Sequence, residues 1–215
     1  FNSKILVVKI VAIDGPASVG KTTIAKIISN LYNAPVLSSG KLYRAVAVKI
    51  KDRGIGIEEK NKIINIAKSL TVNDINSGRS FSSEIDKIAS RVSAEKYLRK
   101  QLLEYQREFP KKFAKGKKFA IIEGRDIGSH VFPDAKFKIF MWADAKIRAK
   151  RRYEQIMKNG QKVSLIRIYN EIIARDNQDM NRKVAPLKPA VNSVLLDTSY
   201  LDIEQAFNAI KRLFS

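Results

Sequence analysis

Gly15, Gly20, Lys21 and Thr22 stand at the spacing G-x-x-x-x-G-K-T, within Asp14-Gly15-Pro16-Ala17-Ser18-Val19-Gly20-Lys21-Thr22-Thr23. Glycines at both ends let the backbone curl, so that N–H groups from about Ser18 to Thr22 converge on one point. A helix beginning there adds the positive end of its dipole, and the pair favours phosphate oxygens. Lys21 is then placed to reach terminal phosphates as a mobile cation, and the Thr22 hydroxyl to ligate Mg²⁺, partly through water. The apolar run Ile5 to Ile13 in front and the helical spacing from Lys21 to Tyr32 behind supply the strand and helix such a loop needs.

The loop says what holds a nucleotide and leaves the acceptor open: kinases, GTPases, ATPase motors and sulfotransferases all use it. A GTPase needs an N-K-x-D base-reading motif after a late strand, where this chain has Leu195-Leu196-Asp197-Thr198. Elsewhere, Ser39 and Arg44 flank the turn after a second apolar run, either as an anion site or as an ordinary Ser-Gly turn. Glu123-Gly124-Arg125-Asp126 follows a third run, at the strand end where α/β sheets bind ligands. A carboxylate there can hold Mg²⁺ through water or a polar substrate edge, and the arginine can clamp phosphate; a plain Glu–Arg surface pair is the other reading. Arg148, Arg151 and Arg152 share one helical face, as do Arg175, Asp179 and Arg182. Charged helical faces are ordinarily just solvated. Two such clusters around Asn159-Gly160, in a chain with a phosphate loop, read as a mobile cationic lid that neutralises a migrating phosphoryl group and excludes water.

The elements that must position these groups alternate. Apolar runs at Ile5–Ile13, Pro35–Leu37, Phe119–Ile122, Phe137–Trp142 and Ser193–Leu196 read as buried strands. Helical spacing fills Lys21–Tyr32, Lys41–Lys51, Glu58–Leu70, Ser83–Phe109, Ala145–Asn159, Ser164–Arg182 and Asp202–Phe214. Alternation of this kind predicts a doubly wound α/β fold with a parallel five-stranded sheet covered on both faces. The helical excess between the second and third strands reads as an insertion, with a small hairpin or irregular lobe at Thr71–Phe81. Trp142 reads as core packing and His130 as a loop residue.

The 215 residues, 45% hydrophobic and 29% charged, suit one globular domain and exclude disordered and collagenous chains. With no cysteine there is no disulfide and no thiolate metal site, which suits a reducing, cytoplasmic setting. Ile5–Ile13 is too short to span a membrane and lacks a cleavage site for a signal peptide. A formal net charge of +20 raises the possibility of a nucleic-acid-dependent ATPase. The lysines behind it are spread through the chain, no aromatic-and-basic RNA motif is present, and the dense arginine clusters are explained by the lid.

These strings resemble bacterial cytidylate kinases, of the nucleoside-monophosphate kinase group, over nearly the whole chain. The resemblance rests on Ile13-Asp14-Gly15-Pro16-Ala17, Ser39-Gly40 with Tyr43-Arg44, and Glu123-Gly124-Arg125-Asp126-Ile127-Gly128 followed by Val131-Phe132-Pro133-Asp134-Ala135. It continues through Arg148-Ala149 with Arg151-Arg152, Arg175-Asp176 with Asp179 and Asn181-Arg182, and Val184-Ala185-Pro186-Leu187-Lys188-Pro189-Ala190. The G-F-P-R pattern of adenylate kinases is absent after the third strand.

The resemblance implies transfer of the γ-phosphoryl group of Mg·ATP to CMP or dCMP by a monomer. It implies one P-loop kinase domain with a core at about 1–56 and 110–215, an acceptor-binding insertion at about 57–109 and a lid at about 148–182. Gly15 to Thr23 are then the ATP loop, with Thr22 on the metal. Ser90, Arg99 and Asp126 resemble readers of the cytosine edge, Arg175 and Asp179 ribose contacts, and Ser39, Tyr43, Arg44, Arg125 and Arg182 surroundings of the acceptor. Lys21, Arg125, Asp126, Arg148, Arg152 and Arg182 are the catalytic candidates, with Asp126 the nearest candidate base. A carboxylate beside a guanidinium suits cytosine, whose edge offers an amino donor and ring acceptors, and disfavours uracil, which turns a lone pair toward the carboxylate. The chain departs from the family pattern at Ser18, at Ser38 where an aspartate is usual, at Asp86 where an arginine is usual, and in a shorter segment between Ile85 and Arg99.

Overall fold

In the computed structural model, residues 7–77, 82–158, 160 and 162–214 are described. Five strands form one parallel sheet: β1 (Lys9–Asp14), β2 (Val36–Ser38), β3 (Phe119–Gly124), β4 (Phe137–Trp142) and β5 (Val194–Asp197). Their spatial order is β2-β3-β1-β4-β5, so the strand that carries the phosphate loop lies at the centre. Parallel neighbours need crossovers, and helices supply them. Helix α1 (Lys21–Tyr32) follows β1, and α2 (Ser39–Asp52) follows β2. Next come α3 (Lys60–Lys68), α4 (Val72–Asn76), α5 (Ser83–Ser93) and α6 (Lys96–Phe113) before β3. Helices α7 (Ala145–Lys158) and α8 (Leu165–Asn181) join β4 to β5, and α9 (Ile203–Lys211) follows β5.

Strand alternation splits the core into two layers. Ala12, Ala120 and Ile122 face α2, α3, α5 and α6 on one side of the sheet. Val11, Ile13, Phe119, Ile121, Ile139 and Met141 face α1 and α9 on the other. Burial on both faces of the central strands β1 and β3 is why they read as continuous apolar runs. A separate cluster of Ala149, Ile168 and Ile172, with Tyr153, Ile156 and Tyr169, packs α7 against α8.

The expected doubly wound architecture is the one found, with local corrections. β1 begins at Lys9, Val7 is 77% exposed, and Ile5 and Leu6 lie outside the described residues. The expected lobe at Thr71–Phe81 is helical where it is described, because Thr71 and Asp74 form a reciprocal capping box that starts α4; positions 78–81 lie outside. The expected stretch Ser83–Phe109 is two helices broken at Ala94 and Glu95, and the second runs past Pro110 to Phe113. Proline is tolerated there because it removes one intrahelical bond near the helix end, where its own carbonyl still accepts from Ala114 N–H at 2.9 Å. Trp142, expected in the core, is 46% exposed, since it points to the opposite face from Ile139 and Met141 on β4.

The end of the sheet away from the strand carboxyl termini is closed by aromatic rings. Phe214, on a 3₁₀ turn after α9, lies 5.8 Å from Phe119, 5.3 Å from Phe137 and 5.9 Å from Tyr32 between ring centres. Phe214→Ala is expected to cost about 3 kcal/mol, by lost burial and the cavity left behind. The shift in the urea midpoint, at unchanged slope, is the measurement that checks it.

Candidate active site

The phosphate loop turns sharply because Gly15 has φ +146° and a Cβ there would sit 2.0 Å from the Met141 carbonyl oxygen. Ser18 lies in the left-handed region at φ +60°, as the curl demands of a residue that is not glycine. The Lys21 ammonium donates to the Pro16 carbonyl at 2.6 Å and is ion-paired to no carboxylate among the described residues. Burial pushes its pKa well below the ordinary lysine value, helped by the nearby charge of Arg125. A buried ammonium in that state gains from any anion brought to it. The Thr22 hydroxyl donates to Glu123 at 3.1 Å, joining the start of α1 to the end of β3. Both are hard oxygen donors of the kind that suit Mg²⁺.

Beyond β3 the chain makes a π-helical turn, Ile127–Val131, in which Val131 N–H reaches back to the Asp126 carbonyl at 3.1 Å. The wide turn leaves the first N–H groups unclaimed. Asp14, at the end of β1, takes two of them: its carboxylate accepts from Ile127 N–H at 2.8 Å and Gly128 N–H at 2.7 Å. Burial pushes the Asp14 carboxyl up to about 7 against the pull of those donors.

The turn sets Asp126 into a buried ion network. Arg99 from α6 donates to one oxygen of Asp126 at 2.5 Å, and Arg182, just past α8, to the other at 3.1 Å. Arg99 also holds the Ser93 carbonyl at 3.0 Å, and Tyr43 lies 5.9 Å from its guanidinium. Asp179 accepts from Arg125 at 2.9 Å and lies 3.6 Å from Arg182 and 3.9 Å from Arg175. Its burial works to raise its pKa, but the charges of Arg125, Arg175 and Arg182 prevail and hold it below the usual carboxylate range. Arg175, desolvated and beside Arg125, falls to about 10. Burial likewise raises Tyr43 to about 12.

A cleft of about 1430 Å³ opens above these groups, at the carboxyl ends of the strands. It brings together most of the residues chosen from the sequence: Ala17 to Thr23, Ser39, Tyr43, Arg44, Ser90, Arg99, Arg125, Asp126, Arg152, Arg175, Asp179 and Arg182. Gly15 and Pro16 shape the loop from below and do not line it. Arg148, chosen as catalytic, does not line it either. Its guanidinium is buried against the Ala143 carbonyl at 2.8 Å, Asp176 at 2.6 Å and the Ala17 carbonyl at 3.3 Å, so it braces the phosphate loop from behind. Asp176, which anchors it, was named only among the residues that carry the resemblance and given no role, because spacing along α8 does not say which residue of α7 it meets.

Further contacts join elements that no spacing rule connects. Gln178 accepts from the Ser90 hydroxyl at 2.7 Å and donates to the Ser90 carbonyl at 2.9 Å, joining α8 to α5. Arg151, third of its cluster, bonds the Thr198 and Leu201 carbonyls and fastens α7 to the loop after β5. Asp86 touches two of the chosen arginines, Arg44 at 2.6 Å and Arg152 at 3.6 Å.

A phosphate loop at the central strand, facing buried arginines and the helix hairpin α7–α8 across one cleft, is the arrangement of a P-loop kinase. The cytidylate kinase family model matches residues 11–215, and the chain belongs to that family. It is 40% identical over 198 residues to a cytidylate kinase of Bartonella tribocorum, covering 92% of this chain and 90% of that one. A cytidylate kinase of Brucella suis biovar 1 is 38% identical over 204 residues, with 95% and 91% covered. Among solved structures, an uncharacterized protein from Eubacterium ventriosum superposes with a TM-score of 0.55 at 15% identity, covering 96% of this chain and 99% of that one, a likeness of fold alone.

The raised pKa of Asp14 has a signed consequence. Between the unfolded value of 3.8 and about 7 the folded state holds a proton that the unfolded state has lost, so Asp14's contribution to stability fades as pH rises through that window. Asp14→Asn should therefore flatten the decline in stability from about pH 4 to about pH 7, read by urea unfolding at several pH values against the parent protein.

Proposed function

We propose that the cleft transfers the γ-phosphoryl group of Mg·ATP to CMP or dCMP, giving ADP and CDP or dCDP. The observation that carries the reading is the Arg99–Asp126–Arg182 group facing the phosphate loop: an acceptor-reading cluster and a polyphosphate cradle share one cleft. In this reading the N–H groups of Ala17 to Thr22 and the Lys21 ammonium hold the ATP phosphates. Thr22, with Glu123 behind it, would hold Mg²⁺, which when bound neutralises charge on the phosphate oxygens.

Asp126 then accepts from the cytosine amino group, while Arg99 donates to the ring acceptors and the Ser90 hydroxyl, which points to Gln178 before the base arrives, turns to join it. Both Asp126 oxygens are already fixed by guanidinium groups, so the carboxylate is held in place before the base arrives. Arg175 and Asp179 meet the ribose. Ser39, Arg44, Arg125 and Arg182 surround the acceptor phosphate, with Tyr43 packed beneath them. Phosphoryl transfer asks for alignment and charge neutralisation, and Lys21, Arg125, Arg152 and Arg182 provide these without a covalent nucleophile. Asp126, bound to two arginines, serves as an acceptor for the base, and no general base is needed. Arg148 enters the reading as a positioning residue for the loop.

The helical segment at about 57–109 is the acceptor-binding insertion, and about 148–182 is the lid. That α7 and α8 pack chiefly on each other supports a lid able to move as a unit. No described helix is long and apolar enough to cross a membrane. We take the enzyme to act as a cytoplasmic monomer, as the family resemblance implies.

The test is ADP release with Mg·ATP and a panel of CMP, dCMP, UMP, AMP and GMP. CMP and dCMP should be the preferred acceptors, and Lys21→Ala should lower kcat by about 10²-fold or more. Preferred turnover of another acceptor, or turnover indifferent to Lys21, overturns the reading. Arg99→Met should raise the KM for CMP by about 10²-fold while leaving ATP binding intact, since it strips a buried partner from Asp126. Unchanged CMP kinetics in that variant would remove Arg99 from the base site.

A further inference from the structure

We propose that Asp86 is an internal counter-anion of the acceptor-phosphate site, holding Arg44 and Arg152 across the cleft and giving them up to the phosphate of the incoming nucleotide. The proposal rests on the assignment of Arg44 to that phosphate. Asp86 lies in the first turn of α5, and its two oxygens bind guanidinium groups from two other elements: Arg44 Nε of α2 at 2.6 Å and Arg152 of α7 at 3.6 Å. One oxyanion shared by two arginines is the contact that a phosphate makes. All three residues line the cleft.

Accessibility separates this carboxylate from Asp126 and Asp179. The Asp126 and Asp179 side chains are 7% and 4% exposed and are locked by two and three guanidinium groups respectively, so they stay with their arginines whatever binds. Asp86, Arg44 and Arg152 are 24%, 23% and 27% exposed, within reach of water and of a ligand. A half-solvated ion pair is weak and exchangeable. A phosphate monoester brings nearly two charges and three acceptor oxygens against one charge and two oxygens of the carboxylate, so the exchange favours the nucleotide. Until then Asp86 keeps two cations from repelling each other across the cleft and ties α5 to α2 and α7.

The experiment is calorimetric binding of CMP and of cytidine, without ATP, to the parent enzyme and to Asp86→Asn. Removing the competing charge should tighten CMP binding by about two- to five-fold and leave cytidine binding unchanged. Raising salt to about 0.5 M should erase the gain, since it is electrostatic. CMP and cytidine weakened together would show Asp86 to be a support of the cleft wall and overturn the proposal, as would CMP binding left unchanged.

Arg44→Met tests the underlying assignment separately: CMP binding should weaken and cytidine binding should not. If CMP binding survives that substitution intact, Arg44 is not at the phosphate and the proposal falls with it, whatever Asp86→Asn does. The parent protein offers a readout free of any folding defect. The side-chain carboxyl carbon resonance of Asp86 should move on addition of CMP and stay put on addition of cytidine; the same response to both sinks the exchange.

Discussion

Guanidinium groups buried side by side are the constraint on which the rest of this structure depends. Arg99, Arg125, Arg175 and Arg182 converge at the carboxyl end of the sheet, and Asp126 and Asp179 balance only part of their charge. Each carboxylate is shared, so each fixes more than one element: Asp126 joins the end of β3 to α6 and to the segment after α8, and Asp179 joins α8 to Arg125. The desolvation that costs free energy in such a network also strengthens every attraction inside it. What remains is surplus positive charge in a place from which water is partly removed. Phosphate groups are the ligands that surplus favours, and Lys21, buried without an ion-pair partner among the described residues, extends it to the phosphate loop.

The two halves of the site are joined through backbone. Asp14, the last residue of the central strand, accepts from the first two N–H groups of the π-helical turn, and that turn begins directly after Asp126. The strand that launches the phosphate loop therefore also sets the height of the Asp126 carboxylate. Arg148 performs the same service from the other side, linking the loop carbonyl of Ala17 to Asp176 on α8. Displacing α7 and α8 would thus be felt at the loop, and Ser90–Gln178 and Asp86–Arg152 carry the same coupling across to α5.

The part of the cleft that follows β1 was legible in the residues themselves. The phosphate loop is a local motif whose spacing, strand and helix are contiguous in the chain, and Lys21–Tyr32 and Phe137–Trp142 fall where the periodicity places them. The meeting of Ser39, Arg99, Asp126 and Arg182 in one cleft was legible only through resemblance, because they are far apart in the chain and no spacing rule joins them. Arg148 shows the limit well. Its place on a helix with Arg152 was readable, but one turn of helix carries Arg152 into the cleft and Arg148 into the protein behind it. Trp142 misled in the same way, since apolar character fixes a preference for burial while the packing of neighbouring helices decides which strand face is covered.

By itself, then, the sequence determined the period of each element, the phosphate loop, the two-sided burial of the central strands and the supply of arginines. Those properties follow from local backbone preference and from hydrophobic spacing, which act over a few residues. Only the tertiary structure decided which arginine meets which carboxylate, that Asp14 caps a distant turn, and that Asp86 stands between Arg44 and Arg152. Charge pairing is set by distance in space, and the crossovers between parallel strands bring together residues that the chain keeps far apart.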